Sequence, residues 1–125
     1  MSVGLVRAAV LGAVLTLAAA GGAEAGAAEG EALFKRHCAV CHSATPDEVI
    51  SGPSLARLVG RKAGSARGYP YSPAMKAAGL TWSPAALDAF LAAPRKAVPK
   101  TTMAFIGLPN PAQRADLVAY LATLK

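Results

Sequence analysis

Two thiols and an imidazole lie within five consecutive residues and form the most reactive segment of this sequence. Cys38 and Cys41 are separated by two residues, and His42 follows directly. One helical turn separates the cysteines, so both thiols can bond the vinyl-derived carbons of one haem while His42 turns its imidazole toward the iron. The spacing C-x-x-C-H is the signature of covalent c-type haem attachment.

A C-x-x-C pair also occurs in redox proteins of the thioredoxin type and in zinc sites. The thioredoxin motif lies in an alternating βαβ pattern, and this sequence shows no convincing strand. Structural zinc needs four ligands, and the only other candidate, His37, is crowded against Cys38. Both alternatives are disfavoured, and His37 is assigned no ligand role.

A six-coordinate haem iron needs a second axial ligand, and two internal methionines offer a thioether. Met75 lies in a short predicted helix after Pro73, where a methionine usually fills the core. Met103 follows irregular chain that can cross a haem face. We therefore predict His42 and Met103 as the metal ligands. With both positions filled, the iron has no open site for oxygen or substrate, which favours electron transfer over catalysis.

Prolines preceded by a capping side chain mark the starts of three predicted helices. Ser72, Ser83 and Asn110 each precede a proline, whose fixed φ suits the first helical turn. An apolar stripe before the cysteine motif predicts a fourth helix. The four predicted helices cover residues 27–37, 72–79, a segment from 83 to just before 94, and a C-terminal segment after 110. Residues 43–71 hold too many glycines and prolines for regular structure, so the predicted fold class is all-α.

The bulk composition allows one small domain preceded by a removable segment. The chain has 125 residues, of which 54% are hydrophobic, and a formal net charge of +6. Arg7, the apolar run 8–20 and the small residues 23–25 predict a secretory signal peptide over residues 1–25. Residues 26–125 are then the folded domain. A retained membrane anchor is the alternative, although the apolar run is shorter than the ~20 residues that span a bilayer.

Beyond the cysteine motif, the sequence resembles the class I c-type cytochromes, both the mitochondrial type and its bacterial periplasmic relatives. The resemblance extends over residues 27–124. It rests on many short segments, so no single motif carries it. These segments are Gly30, Phe34, residues 38–42, 52–55, 60–64, 68–71, 81–82, 99–105 and 114–121.

The resemblance implies a cytochrome c fold, in which four or five short helices wrap around one covalently bound haem c. The N- and C-terminal helices are expected to cross. Gly30 and Phe34 would pack against Leu117 and Tyr120 at that crossing, because a glycine permits close approach of the two backbones.

The resemblance also implies roles for residues around the haem. The carbonyl of Pro53 would accept the Nδ1 proton of His42 and so fix the imidazole. Tyr71 and Trp82 would donate hydrogen bonds to a buried haem propionate, and Arg61 would offset its charge.

Three departures from the mitochondrial pattern concern the haem interior and the Met103 loop. Phe90 replaces a usual tyrosine, Met75 replaces a frequent asparagine, and residues 100–102 are Lys-Thr-Thr where Gly-Thr-Lys is common. The first two remove polar groups. We therefore expect a changed internal hydrogen-bond network and an altered Met103 bond, with haem attachment and ligation unaffected.

The implied function is that of a monomeric, soluble periplasmic carrier, not an enzyme, that shuttles single electrons between respiratory or photosynthetic membrane complexes. Its partners would be acidic docking faces, such as those of a quinol–cytochrome c reductase and of a terminal oxidase or reaction centre. The basic residues expected near the exposed haem edge are Lys35, Arg36, Lys62, Lys76, Arg95, Lys96 and Lys100.

Other functions leave distinct marks. A peroxidase-like enzyme would need Met103 absent or displaced from the iron, and a permanently bound or membrane-tethered subunit would not behave as a free monomer. The basic residues would have no docking role if they only solvate the surface. Nucleic-acid binding is disfavoured, because the sequence has no basic arm and no recognised binding motif.

Overall fold

The computed structural model describes the backbone of Met1 and residues 21–125, and the side chains of Met1 and residues 26–125. Most of the predicted signal peptide, residues 2–20, lies outside the described residues, so that assignment stays a prediction. No described helix has both the length and the apolar character needed to cross a membrane.

Five helices account for the regular structure of the described residues. They are α1 (Gly21–His37), α2 (Pro73–Ala77), α3 (Pro84–Ala92), α4 (Pro94–Ala97) and α5 (Pro111–Leu121). Over the same residues, β-pairing is limited to two isolated bridges, His42 with Val49 and Lys62 with Thr81. The all-α prediction is confirmed. The first helix begins at Gly21 and not at residue 27 as expected from the apolar stripe.

Side-chain caps begin the three helices that the proline pattern predicts. Ser72 accepts a hydrogen bond from the backbone N–H of Met75 at 3.2 Å, and Ser83 accepts one from Ala86 at 3.1 Å. Asn110 accepts from two successive amides of the first turn of α5. These bonds satisfy N–H groups that otherwise lack a partner at a helix start.

Helices α1 and α5 cross in close contact, as the resemblance implies. A methyl group built on Gly30 would lie 2.0 Å from the backbone oxygen of Asp116, so only glycine fits at this crossing. The rings of Phe34 and Tyr120 pack with centroids 5.3 Å apart, and Leu117 is fully buried in the core.

Arg114 ties α5 to α3 and to the chain before it. Its Nε donates to the carboxylate of Asp88 at 2.7 Å, and its Nη1 donates to the carbonyls of Leu108 and Pro109 at 3.0 and 2.9 Å. The planar guanidinium group meets all three acceptors at once, a geometry that a lysine cannot reproduce. Arg114 thereby fixes α3 to α5, and α5 also packs on α1.

The irregular chain of residues 43–71 forms backbone hydrogen bonds with residues 80–82, just before α3. Gly60 donates its N–H to the carbonyl of Trp82 at 2.9 Å, and Trp82 donates in return to the carbonyl of Arg61 at 2.9 Å. Ala63 donates to Leu80 at 2.8 Å. These bonds join the backbone around Arg61 to the backbone around Trp82, two residues predicted to lie beside the haem.

Candidate haem site

The cysteine motif continues the helical path of α1 beyond His37. The N–H groups of Cys41 and His42 both donate to the carbonyl of Cys38, at 3.0 and 2.9 Å. Cys38 is buried, Cys41 is partly exposed, and the two thiols are not joined by a disulfide. The turn therefore presents two thiols and one imidazole from a single compact segment.

The surroundings of the Cys38 thiol favour its protonated form. Burial, together with the negative charge of a deprotonated Cys41, raises the pKa of Cys38 to about 11. Redox-active cysteines of the thioredoxin type have a lowered thiol pKa. Among the described residues no cluster of three or more His, Cys, Asp or Glu side chains could hold a metal ion. The raised pKa argues against a redox-active pair of the thioredoxin type.

The imidazole of His42 is held in one orientation from two sides. Its Nδ1 donates to the carbonyl of Pro53 at 2.7 Å, which leaves Nε2 as the nitrogen able to bind a metal. The backbone of Gly52 lies close to the ring, because a methyl group built on Gly52 would be 2.7 Å from the imidazole Cε1. The bond to Pro53 that the resemblance implies is therefore present.

The surroundings of the His42 ring favour its neutral form. Burial lowers the pKa of His42, the Pro53 carbonyl opposes this change in part, and the positive charge of Arg61 adds to it. A neutral imidazole is the form that binds metal ions. The orientation and the protonation state of His42 therefore both suit an axial ligand.

All eight residues predicted for the cofactor site line one cavity of about 310 Å³. They are Cys38, Cys41, His42, Pro53, Arg61, Tyr71, Trp82 and Met103. The fold therefore brings these eight residues together from separate stretches of the chain. Their individual roles toward the haem stay predictions.

The rest of the cavity wall is mostly apolar, which suits a flat macrocycle. Leu87, Phe90 and Leu91 project into it from α3, and Leu55 and Leu58 from the irregular chain. The helical spacing of the first three was a usable sequence signal for a buried face. The two leucines of the irregular chain carried no such signal, because no periodicity applies there.

One end of the cavity is polar and fits a carboxylate. Arg61 donates from both terminal nitrogens to backbone carbonyls of Ala56 and Ser54 at 2.9 Å, but its Nε is buried without a partner. The hydroxyl of Tyr71 accepts from the Ala66 N–H at 3.1 Å, so its own proton remains available. A haem propionate at this end would satisfy Arg61 Nε and accept from Tyr71, so the residues present fit the haem.

Both internal methionines line the cavity, and Met75 also packs against the apolar core, as its place in a short helix predicts. Met75 lies in α2, whereas Met103 lies in irregular chain, where its N–H donates to the hydroxyl of Thr101 at 3.3 Å. His37 is not among the lining residues and packs its ring 6.1 Å from that of Phe105. This placement agrees with its lack of a predicted ligand role.

The profile of the family described as Cytochrome c matches residues 27–125. The chain belongs to the cytochrome c family. Cytochrome c2 of Rhodomicrobium vannielii is 44% identical over 119 residues, which cover 94% of each chain. Cytochrome c2 of Rhodopila globiformis is 43% identical over 97 residues, covering 78% of this chain and 92% of that one.

A solved cytochrome, cytochrome cH from Methylobacterium extorquens, shares the fold. The TM-score is 0.73 at 45% identity, with 78% of this chain and 97% of that chain covered. Membership of the cytochrome c family establishes that the chain carries one covalently attached haem c. It is an electron carrier and not an enzyme.

Proposed function

We propose that this cytochrome shuttles single electrons between membrane redox complexes through a haem c ligated by His42 and Met103. The observation that carries the proposal is one cavity lined by both cysteines, by His42 with its Nε2 available, and by Met103. Bound haem supplies an iron that accepts and releases one electron. Ligation by histidine and methionine raises its reduction potential into the range used by electron carriers.

The protein's own residues hold and tune the cofactor. Cys38 and Cys41 anchor it covalently, and the Pro53 carbonyl keeps His42 oriented and more basic. Apolar walls such as Phe90 exclude water from the iron. Arg61 offsets the charge of a propionate, which would otherwise be costly to bury.

The proposed location is the periplasm, reached with the signal peptide over residues 1–25 and maturation at Gly26. The proposed partners are acidic faces of a quinol–cytochrome c reductase and of a terminal oxidase or reaction centre, which a free monomer would visit in turn. Exposed basic side chains support this docking mode. Six of the seven predicted docking residues, namely Arg36, Lys62, Lys76, Arg95, Lys96 and Lys100, are exposed and outside any ion pair of the described chain.

Lys35 is the exception among the predicted docking residues. Its Nζ lies 2.7 Å from the carboxylate of Glu31, one turn earlier in α1. The hydrogen bond and the charge of Glu31 raise the pKa of Lys35. The side chain stays cationic, but Glu31 offsets its field, so we give Lys35 a smaller part in docking.

Met103→Ala and Met75→Ala test the ligand assignment, because both side chains line the same cavity and only one is proposed to bind iron. We expect Met103→Ala to lose the far-red sulfur-to-iron absorption band, to lower the potential and to admit small ligands. Met75→Ala should keep the band. Intact mass should equal the chain from Gly26 plus one haem in both variants. Loss of the band in Met75→Ala alone would reverse the assignment.

A further inference from the structure

A second cavity, of about 420 Å³, shares Arg61 with the haem cavity. Three arginines line it, Arg57, Arg61 and Arg67, together with one carboxylate, Asp47. We call it the arginine pocket. Serines and backbone make up much of the remaining wall, so the pocket is polar where the haem cavity is apolar. The docking proposal makes no use of it.

The positive charge of the arginine pocket is not neutralised by the protein. In the described part of the chain the ion pairs are Lys35 with Glu31 and Arg114 with Asp88, so Asp47 pairs with none of the three arginines. Arg57 and Arg67 are exposed and make no side-chain hydrogen bond to the described residues. Arg61 is proposed to offset a haem propionate, so Arg57 and Arg67 against Asp47 leave a surplus of one positive charge in this wall.

The backbone at this pocket is held in an unfavourable conformation. Asp47 and Arg57 have φ of 60° and 51°, and they are two of the three non-glycine residues with positive φ in the described chain. The Arg57 N–H donates to the carbonyl of Leu124 at 3.2 Å, which helps to keep this residue in place. Strain of this kind is concentrated where it places a side chain for a ligand.

We propose that the arginine pocket binds one phosphate-class oxyanion, either inorganic phosphate or a phosphate monoester, through the guanidinium groups of Arg57 and Arg67. A guanidinium group presents paired N–H donors that match the oxygens of such an anion. The terminal nitrogens of Arg61 already donate to carbonyls of Ser54 and Ala56. Arg61 is therefore not expected to contact the anion, and Arg57 and Arg67 contribute the contacts.

Two connections link the arginine pocket to the haem cavity. Arg61 lines both cavities. The N–H of Ala66, in the wall of the arginine pocket, donates to the hydroxyl of Tyr71, in the wall of the haem cavity. An anion beside Arg61 favours the more positive, oxidised state of the protein, so phosphate should bind that state more tightly. By linkage, bound phosphate lowers the midpoint potential. This second step rests on the proposed function.

The test of the site is a titration of the haem-loaded, oxidised protein with inorganic phosphate at constant ionic strength, followed by calorimetry and by amide NMR shifts. We expect saturable binding of one phosphate with shifts around Arg57 and Arg67. Arg57→Gln/Arg67→Gln should weaken binding about tenfold or more, because charge-assisted hydrogen bonds are lost. The matched control, Arg36→Gln/Arg95→Gln, removes the same charge from exposed arginines outside the pocket and should change affinity less than twofold.

Unchanged affinity in Arg57→Gln/Arg67→Gln would overturn the site. An equal loss in both double variants would also overturn it, and would assign the binding to net charge. Glycerol phosphate and vesicles containing phosphatidic acid distinguish the sources of the anion. Loss of vesicle binding in the pocket variant, without binding of either free anion, would assign the site to a lipid headgroup. Binding of glycerol phosphate would assign it to small anions in solution.

The redox step has a separate readout. Phosphate should bind the reduced protein more weakly than the oxidised protein, and the midpoint potential should fall as phosphate saturates the wild type but not the pocket variant. Equal affinities for the two oxidation states would overturn the coupling. If the visible spectrum of the wild type without phosphate lacked the sulfur-to-iron band, the proposed haem ligation would have failed instead. The two failures are therefore distinguishable.

Discussion

Lys100 adopts a backbone conformation that residues with a side chain avoid. Its φ is +67°, at a position where the resembling family commonly has glycine. Replacing Lys100 by glycine relieves about 1–2 kcal/mol of local strain, which is more than the cost of the extra conformational entropy that glycine loses on folding. We expect Lys100→Gly to raise the free energy of unfolding by about 0.5 kcal/mol or more, and Tm by roughly 2–4 °C. Thermal unfolding of the haem-loaded protein measures this change.

Lys96→Gly is the matched control for Lys100→Gly. It removes the same charge four residues earlier, but from the helical backbone of α4. Glycine costs about 0.5–1 kcal/mol in a helix, so this variant should lose stability. If both variants shifted Tm in the same direction, the lysine charge and not the backbone conformation would be responsible.

At the level of single residues, the sequence predicted what depends on local spacing. The cysteine motif fixes Cys38, Cys41 and His42 within one turn, and the resemblance supplied the bond from His42 to Pro53. Local spacing alone could not place Met75 at the cavity wall, because a methionine in a short helix has the same local pattern in a core as beside a cofactor. The positive φ of Arg57 was also not predictable, since only tertiary packing imposes it.

Helices α2, α3 and α5 have a start signal in the local sequence, whereas α4 has no side-chain cap. Ser72, Ser83 and Asn110 cap their helices with their own side chains, so a sequence pattern was sufficient to predict α2, α3 and α5. Helix α4 begins at Pro94 without a side-chain cap and has only four residues. This helix was not predicted from the sequence, because Pro94 was used only as the residue before which α3 must end. The same proline is also the first residue of α4.

Gly30→Ala tests the crossing of α1 and α5. Alanine is the better helix former by about 1 kcal/mol, but its methyl group would lie 2.0 Å from the backbone oxygen of Asp116 and 2.7 Å from Tyr120 Cβ. Backbone atoms cannot move aside without separating the helices. We expect a loss of about 3 kcal/mol or more in the free energy of unfolding, measured by denaturant titration of the haem-loaded protein.

Ala32→Gly provides the opposite substitution on the exposed side of α1. It should lose only about 0.5–1 kcal/mol, the helix-propensity difference between alanine and glycine. The close-crossing account would be wrong if Gly30→Ala were as stable as the wild type, or if Ala32→Gly were the more damaging of the two.

At the scale of the whole molecule, the long irregular segments are explained by what they enclose. Residues 43–71 have few regular backbone bonds, yet they supply Pro53, Arg61 and Tyr71 to the haem cavity. Only about 100 residues are available to build a core around this cavity, and a bound cofactor extends such a core. The sequence showed that these segments are not helical, but their path followed only from the resemblance and the structure.

The salt dependence of electron transfer tests docking by the basic surface. The chain carries +6 overall, and Lys100 precedes Thr101 and Thr102, which line the haem cavity. The Debye length falls from ~10 Å at 0.1 M salt to ~3 Å at 1 M salt. The second-order rate with an acidic membrane oxidase or reductase should therefore fall as salt rises. Stopped-flow kinetics at several ionic strengths measure this rate.

Charge reversal should reproduce the effect of salt, and its position distinguishes a docking face from net charge. Lys96→Glu and Lys100→Glu should each slow electron transfer at low ionic strength without shifting the visible spectrum. Lys125→Glu makes the same change in net charge at the chain end and should slow it less. Equal effects of all three variants would show that net charge alone steers the encounter. A rate that does not vary with salt would contradict electrostatic docking and favour apolar contacts or a permanently bound subunit.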